Sequence, residues 1–375
     1  MTTGVLSINR RVLTVVLIVS LPILALGARY VVSTGQTGVR DAEAARLGHV
    51  AEHIAYSTDA YVFRRIVDAA VIARVPDIRR AAAEGTRQPL DTKKILAIDQ
   101  EWQKDLKVPA TVAGVLANPA ARFLADIVKQ NQLYREILVA DSHGRLVAAS
   151  QVTSDYYQAD EGWFTQALDD GRRGRITVSD VRRDESADVY AFDISVPVAD
   201  PTSDELVGIM KIVASSAEML QGVVGLQLGS TGQVTLIRED GSIVFSRQGV
   251  QSGARFFAAD MLKERLAAWK DDPQAQINFR SRSNDGTARV VAVARSRLRE
   301  SFPNLSWLVA VSMEESELLD PFRSMVWSVM AVIGLTVMAV LAVALWASMR
   351  LVRPAFDPGL DLHLVDHPKP PHIEG

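Results

Sequence analysis

The sequence ILVADSHGRLV, from Ile137 to Val147, recurs in outline as VTLIREDGSIV, from Val234 to Val244. Each copy is an apolar strand, a turn at a glycine and a second apolar strand, which is the pattern of a β-hairpin. Two later segments recur in the same order, Ile212–Glu218 (IVASSAE) and Val309–Glu317 (VAVSMEESE). Each is an apolar strand that runs into a Ser/Glu helix start. This internal repetition predicts two copies of one α/β module in series.

Further strands lie between these repeated segments. In the first copy, a short helix over 160–168 is followed by apolar runs at 176–181, 189–198 and 206–214. In the second copy, the corresponding runs are 276–282 and 288–295. Because turn residues bound each run, we expect antiparallel sheets flanked by helices.

A helical region precedes the first module. The sequence predicts one long helix over 36–80, broken at Pro76, and shorter helices over 92–104 and 120–132. The long helix carries a heptad-like stripe, formed by Leu47, Val50, Ile54, Ser57 and Tyr61. This stripe favours a stalk that forms the spine of a homodimer.

Both ends of the chain contain apolar segments of membrane-spanning length, 12–32 and 325–349. Basic residues lie at their outer flanks, namely Arg10, Arg11, Arg350 and Arg353. Because positive residues stay on the cytoplasmic side, the sequence predicts a two-pass inner-membrane protein whose residues 33–322 face the periplasm. The alternative is that the first segment is a cleaved signal peptide, since it has a basic start, an apolar middle and small residues after it.

Composition and motifs exclude several functions. The net charge of −3 gives no basic face for nucleic acid. The chain has no cysteine, which excludes thiolate metal sites, thiol catalysis and Fe–S clusters. The motifs of hydrolase elbows, phosphate loops and zinc proteases are missing from the sequence, so we expect neither an enzyme nor a cofactor. His49 and His53 have metal-ligand spacing but no nearby acidic third ligand of the right pattern, so we predict no metal there.

Three segments of the first module carry a family resemblance. They are Asp155–Phe164 (DYYQADEGWF), Ile176–Val181 (ITVSDV) and Tyr190–Val198 (YAFDISVPV). With the two spans and the long first helix, they resemble the double Cache sensor domain of bacterial transmembrane receptors. The resemblance implies an α+β fold, in which a long N-terminal stalk helix and two tandem PAS-like antiparallel α/β modules are flanked by two transmembrane helices.

The resemblance also implies a division of the chain. Residues 1–11 form a cytoplasmic N-terminus, and residues 33–322 form the double Cache domain. Within that domain, 33–132 is the stalk and helical region, 133–220 the membrane-distal module and 221–322 the membrane-proximal module. Residues 350–375 form a short cytoplasmic tail, whose start resembles a HAMP linker.

In this family the distal module usually binds a small molecule. By position, Tyr156, Trp163 and Phe164 would be the aromatic walls of the pocket. The polar or flanking contacts would be Ser179, Asp180, Tyr190 and Asp193. Amino-acid-sensing members place an arginine where this chain has Glu161, and an aspartate on the last strand where it has Val213, so an α-amino acid held in the usual way is not expected.

The carboxylates Asp160, Glu161, Asp180 and Asp193 would give this pocket an acidic, aromatic lining. Such a lining favours a cationic ligand such as an amine. A Ca²⁺ ion near Asp180, Asp184 and Glu185 is an alternative. The structural alternatives are that Asp160 and Glu161 cap a helix, that Trp163 is core, and that Asp184–Glu185 is a solvated turn.

The resulting functional prediction is a membrane-anchored extracytoplasmic small-molecule sensor. Its signal would pass through the second span to a separate cytoplasmic signalling partner, because the tail is too short for a kinase or cyclase. The alternatives are a non-sensing membrane scaffold or interaction protein and a truncated orphan receptor. Ligand-dependent stabilisation would distinguish a sensor from both.

Overall fold

The computed structural model describes residues 10–351, apart from 106–107, 170, 172, 185–188, 248, 250–252 and 270–276. The predicted tail after 351 and the first nine residues lie outside this range. The chain divides into two compact units. One comprises residues 39–319, and the other comprises residues 1–38 with 320–375.

Helices come first along the chain. They are α1 (Arg10–Ile72), α2 (Pro76–Arg87), α3 (Thr92–Asp105), a 3-10 helix (Ala110–Leu116) and α4 (Pro119–Gln130). The break predicted at Pro76 occurs, because α1 ends at Ile72 and Pro76 is the first residue of α2. At that position the missing N–H of proline leaves no helical hydrogen bond unmade.

The predicted stripe on α1 packs within its own chain. Leu47 and Ile54 are fully buried in the main core, and Val50 and Tyr61 pack against it. The Tyr61 hydroxyl also donates a hydrogen bond to the Ser215 carbonyl at 2.7 Å. The apolar face on which we based a dimer spine is therefore the face that covers the chain's own sheets.

The first sheet follows α4. Its strands are β1 (Tyr134–Asp141), β2 (Leu146–Ala149), β3 (Thr177–Val178), β4 (Arg182–Asp184), β5 (Val189–Ala199) and β6 (Leu206–Ser215). Their order is β2-β1-β6-β5-β3, and β4 also pairs with β5. Two helices accompany them, α5 (Gly162–Leu168) before β3 and α6 (Ala217–Val224) after β6.

The second sheet repeats the first. Its elements are β7 (Gln233–Arg238), β8 (Ile243–Ser246), α7 (Ala259–Ala268), β9 (Ile277–Arg282), β10 (Ala288–Arg295), a 3-10 helix (Arg297–Glu300), β11 (Trp307–Glu314) and α8 (Glu315–Leu318). The strand order is β8-β7-β11-β10-β9, which matches that of the first sheet.

Details of the two hairpins agree as well. The β1–β2 ladder shifts register between Val139 and Ala140, and the β7–β8 ladder shifts between Leu236 and Ile237. Gly144 and Gly241 each occupy the turn with φ near +80° (81° and 83°), a conformation that favours glycine. The duplication and the α+β fold class predicted from the sequence are confirmed.

The smaller unit contains the ends of the chain. The helix α9 (Asp320–Leu351) follows α8. Two helices of the described chain are long and apolar enough to cross a membrane, the helix from Ile18 within α1 and the helix Asp320–Trp346 within α9. Both were predicted as spans, and Pro22 lies within α1 without ending it.

Candidate functional site

A cavity of about 230 Å³ lies between α5 and one face of the first sheet. Its walls come from α5, the β3 strand and its loop, β4, β5 and β6. The lining residues are Glu161, Gly162, Trp163, Gln166, Thr177, Val178, Ser179, Arg182, Asp193, Ser195 and Lys211. Charged groups of both signs therefore face a space beside one aromatic ring.

The strand register explains why these polar residues meet. Side chains alternate across a strand, so Asp193 and Ser195 share one face of β5. Ser195 pairs directly with Lys211 on β6, and Asp193 pairs with Val213. Ser179 is held beside them, because its hydroxyl accepts a hydrogen bond from the Asp193 amide at 2.8 Å.

Lys211 is one of two cationic residues that line this cavity, and the other is Arg182. The Lys211 Nζ atom lies 5.2 Å from the centroid of the Trp163 ring, which is within cation–π range. Within the described chain, it makes no ion pair with a carboxylate. An ammonium group held on an aromatic face without a counterion is suited to receive an anionic group.

Asp193 is the buried acid of the cavity. Its side chain is only 5 % exposed, and Oδ2 accepts a hydrogen bond from Arg182 at 2.6 Å. Its Oδ1 atom is buried and has no hydrogen-bond partner among the described residues, and the same is true of Trp163 Nε1. Most buried polar atoms in folded proteins have a partner. Asp193 and Trp163, which both line the cavity, therefore each keep a polar atom whose hydrogen bonding is incomplete among the described residues.

The cavity brings together four of the predicted site residues, namely Glu161, Trp163, Ser179 and Asp193. Glu161 is at the N-cap position of α5 but makes no side-chain capping bond. Trp163 is half-buried and packs edge-on against Phe164 at 5.6 Å between ring centroids.

Three other predicted residues lie away from this cavity. Phe164 is buried on the inner side of α5, where it clusters with Ala140 and Ile209 of the first sheet, so it belongs to the core. Tyr156 packs against Trp102 with ring centroids 6.1 Å apart, and burial raises the pKa of its phenol. Asp160 is exposed to solvent. The lining is therefore less acidic and less aromatic than the sequence suggested.

Asp180 and Tyr190 contact the second module instead. Asp180 Oδ2 accepts a hydrogen bond from Arg238 Nε at 2.6 Å, and its Oδ1 accepts one from Trp307 Nε1 at 2.9 Å. Tyr190 packs edge-on against Phe245, with centroids 5.6 Å apart. Because Asp180 is already paired in this way, it is poorly placed to hold a ligand or a Ca²⁺ ion.

No group of three potential metal-ligating His, Cys, Asp or Glu residues occurs in the part of the chain that the structure describes. Glu185, which belonged to the alternative Ca²⁺ site, lies outside that part. At the histidine pair with metal-ligand spacing, His49 and His53, the His49 Nδ1 atom lies 3.4 Å from Glu52 Oε2 on the same helix.

Lys211 and Arg182 were missed by the sequence reasoning. Lys211 is the one charged residue in the otherwise apolar strand LVGIMKIVAS, and that contrast is a signal that the sequence does contain. The usable rule is that a lone charge in a buried strand needs a partner or a ligand. Arg182 carried no comparable signal.

The second module contains the equivalent positions with different residues. By strand pairing, Ser195–Lys211 in the first sheet corresponds to Val293–Ala310 in the second, and Asp193 corresponds to Val291. All three equivalents are buried in one apolar cluster against α7. The same architecture thus has a polar cavity in one copy and an apolar core in the other.

Comparisons with known proteins agree with this architecture. A family model described as a Cache domain, of the double type, matches residues 50–322. No curated protein matches the chain in sequence. The resemblance drawn from Asp155–Phe164 and its companion segments is therefore confirmed.

Several solved structures of low sequence identity are similar to this chain, with TM-scores below 0.5. The amino acid chemoreceptor PctB of Pseudomonas aeruginosa PAO1, in complex with L-Arg, is 14 % identical with a TM-score of 0.44, covering 78 % of this chain and 98 % of its own. The amino acid chemoreceptor PctC of the same organism, in complex with GABA, is 13 % identical with a TM-score of 0.46, and the match covers 72 % of this chain and 98 % of PctC. The Campylobacter jejuni chemoreceptor Tlp3, in complex with L-norvaline, is 11 % identical with a TM-score of 0.47, and the match covers 76 % of this chain and 95 % of Tlp3. Scores below 0.5 carry no argument about ligand, so the family assignment rests on the sequence match.

Proposed function

Because the chain belongs to the double Cache family, we propose that it is a small-molecule sensor whose ligand binds in the cavity between α5 and the first sheet. The observation that carries this proposal is the buried, unpartnered Oδ1 of Asp193, a residue that lines the same cavity as Lys211, whose ammonium group makes no ion pair among the described residues. An unsatisfied buried carboxylate oxygen is costly, and ligand binding is a reason for a protein to keep one.

The second module supports this assignment as an internal comparison. A duplicated fold needs no polar groups at these positions, because Val291, Val293 and Ala310 pack there as ordinary core. The polar set in the first module therefore does not serve the fold. We accordingly propose the membrane-distal module, 133–220, as the ligand-binding module and 221–322 as the module that transmits the signal.

The charges of the cavity suggest the chemistry of the ligand. Lys211 would pair with an anionic group, and Asp193 Oδ1 would accept a hydrogen bond from a donor such as an ammonium group. Glu161 at the mouth would favour the same donor. We propose a small polar molecule that carries a hydrogen-bond donor or amine for Asp193. The two carboxylates, Glu161 and Asp193, are consistent with the amine predicted from the sequence. Lys211 in addition favours an anionic group on the same ligand.

A route for the signal begins at the cavity wall. Val178 and Ser179 line the cavity, and the next residue, Asp180, binds Arg238 and Trp307. The Val178 carbonyl also accepts a hydrogen bond from Asn304 Nδ2 at 2.6 Å. A ligand that moves this wall would therefore pull on the start of β11, the last strand before the C-terminal helices. Two arrangements of this contact would provide the two signalling states.

We further propose that 33–322 is periplasmic and that the signal crosses the inner membrane through 325–349 to a cytoplasmic signalling partner. The two apolar helices and the basic residues at their outer flanks support this topology.

Thermal unfolding of the full chain in nanodiscs tests the proposal. Amines, zwitterions and carboxylates are screened for compounds that raise the melting temperature, and a compound at about 100 times its Kd should add about 2.7 kcal/mol of stability. Lys211→Met should abolish that rise, whereas Lys263→Met, an exposed lysine on α7, should retain it. A panel without a stabilising compound, or a rise that survives Lys211→Met, would contradict the proposed site.

A further inference from the structure

A second cavity lies at the edge of the first sheet, and its lining includes Glu84 of α2, Gly114 of the 3-10 helix Ala110–Leu116, Asn118 and Leu146. This edge cavity has a volume of about 460 Å³, against about 230 Å³ for the cavity beside α5. Strand β2 forms that edge of the sheet, and α2, α4 and the 3-10 helix all contact it. Pockets of roughly 300–1,000 Å³ are of the size that holds small molecules. The two cavities have no lining residue in common.

The buried part of the edge cavity contains an ion pair that is already complete. Arg145 Nε donates a hydrogen bond to Asp141 Oδ2 at 2.6 Å, and neither side chain is more than 8 % exposed. The same guanidinium group donates to the carbonyl oxygens of Gly85 at 2.6 Å and Gln88 at 3.3 Å. Asp141 Oδ1 accepts hydrogen bonds from the amides of His143 and Arg145. Because its charges and hydrogen bonds are matched internally, this pair offers a ligand no net charge.

Tyr156 lines the same cavity with a hydroxyl group that is not satisfied. The residue is only 7 % exposed, and its hydroxyl makes no hydrogen bond to another residue that the structure describes. Burial raises the pKa of this phenol, so at neutral pH it stays uncharged and can both donate and accept a hydrogen bond. Most polar groups on buried side chains have a partner. A bound molecule that reached this hydroxyl would complete its hydrogen bonding.

The charges at the rim do not favour a charged ligand. Asp77 and Arg80, one turn apart on α2, form an ion pair at 3.5 Å between Oδ1 and Nη1. Glu84 has no ion-pair partner within the described ranges, but it is exposed, and an ion pair in contact with water adds little affinity. An anion would meet only Arg80 and Arg145, which are both already paired with carboxylates. The lining therefore fits an uncharged molecule best.

The other lining residues supply both hydrogen-bonding groups and apolar surface. Thr111 and Gln88 offer a hydroxyl and an amide, while Val115 and Leu146 offer apolar side chains. A sugar or polyol has the same mixture, because its hydroxyl groups are carried on a carbon skeleton whose C–H groups are apolar. A carboxylate such as that of Glu84 accepts hydrogen bonds from hydroxyl groups as well as from cations.

We propose that the edge cavity is a second ligand site of the first module, for a small uncharged polyhydroxy compound such as a monosaccharide. The Tyr156 hydroxyl is its inner contact, and the Glu84 carboxylate is its contact at the rim. The inference does not rest on the cavity beside α5. Its ligand class also lies outside the amines, zwitterions and carboxylates that test that cavity, so the two proposals fail independently.

Thermal unfolding of the full chain in nanodiscs, with glucose, galactose, ribose and sorbitol as probes, tests this inference. Sugars at high concentration stabilise most proteins because they are excluded from the surface, so the informative quantity is a saturable rise that differs between variants. Gly114→Leu should remove that rise, because a Cβ atom at Gly114 would meet no heavy atom within 4 Å and a leucine would occupy the open space. Gly222→Leu is the matched control. Gly222 on α6 has equally open surroundings but does not line the edge cavity.

A second pair of variants tests the inner contact. Tyr156→Phe removes only the hydroxyl group and keeps the ring that packs against Trp102. It should weaken binding of the stabilising sugar roughly five- to tenfold in calorimetry, without lowering the melting temperature of the sugar-free protein. Tyr157→Phe, at the neighbouring tyrosine outside the lining, should leave that affinity unchanged. Lys211→Met should also leave it unchanged, which separates this site from the cavity beside α5.

Three results would overturn the proposal. The first is a rise of equal size in Gly114→Leu and Gly222→Leu, which would show that the sugars act by exclusion alone. The second is a dissociation constant that Tyr156→Phe leaves unchanged. The third is tighter binding of gluconate or glucosamine than of glucose, since these compounds have a similar carbon skeleton but carry a negative or a positive charge.

Discussion

Replacing Asp193 with valine would give the proposed ligand cavity the residue that the second module has at the equivalent position, Val291. Val291 is fully buried and packs in an apolar cluster. The duplication therefore indicates that the fold accepts valine at this point of the strand. We expect Asp193→Val to fold, to lose ligand binding and to be more stable than the wild type without ligand.

The size of the effect follows from three contributions. Removing the buried oxygen Oδ1, which lacks a partner among the described residues, should recover about 1–3 kcal/mol. Losing the ion pair with Arg182 should cost only about 0–1 kcal/mol, because that arginine side chain is 60 % exposed. The buried methyl groups of valine should add about 1 kcal/mol. The net gain is about 1–4 kcal/mol, which corresponds to a rise in melting temperature of roughly 3–12 °C.

The assay is urea and thermal unfolding of the full chain in nanodiscs, followed by tryptophan fluorescence with and without a stabilising compound. Asp160→Val is the control, because Asp160 is exposed and does not line the cavity. That control should keep both its stability and its response to the compound. If Asp193→Val lost more than about 1 kcal/mol and still responded to the compound, the carboxylate would be a structural group, and the reasoning from unsatisfied hydrogen bonding would fail.

Two further predictions concern hydrogen bonds that involve residues of the second module. Asp180→Asn should lower the free energy of unfolding by about 1.5–3 kcal/mol through the loss of the charged acceptor for Arg238, and in hydrogen exchange it should loosen β11 without abolishing compound binding. Loss of compound binding would show that Asp180 serves the cavity instead. Hydrogen bonds from Thr231 and Ser230 lower the pKa of Glu317 from 4.5 to about 2, so its contribution to stability is present above pH 4.5 and is lost as pH falls towards 2. The stability difference between wild type and Glu317→Gln should therefore shrink across that range in acid titrations, and a constant difference would contradict it.

The fold was predictable because its signals are local and repeated. The hairpin at Gly144 recurs at Gly241 with the same turn geometry, and each apolar strand is bounded by turn residues. Because the module occurs twice, each strand is predicted from two independent segments, which reduces the effect of an error in any one strand boundary. The family segments then placed α5 next to the strands that form the cavity.

The lining of the site was predictable only in part, because neighbouring residues on a strand or loop point in different directions. Ser179 faces the cavity, whereas Asp180, one residue later, contacts Arg238 and Trp307 of the other module. Sequence position alone gives both residues the same role. Lys211 was overlooked because we compared the strand with the family pattern at Val213, two residues away, and did not ask which charge the strand contained.

The face of α1 posed a similar problem. Two heptad-like stripes run along the helix, one through Leu47 and Ile54 and the other through Phe63 and Val67. Periodicity shows that each stripe needs a partner, but it does not say whether the partner is the same chain or another. The first stripe is more uniformly aliphatic, and the sheets of the chain's own core cover it. The second is exposed to solvent.

The division of labour that we propose between the modules rests on where the polar groups remain. The two copies share a strand order, a hairpin turn at glycine and the same hairpin register shift, yet only the first keeps charged groups at the positions of Asp193 and Lys211. The second fills those positions with apolar core and instead offers Arg238 and Trp307 to Asp180. A module with an apolar core is stiff, because its side chains interdigitate closely. It is therefore suited to transmit a displacement, while the polar module, whose hydrogen bonding is incomplete without a ligand, is suited to produce one.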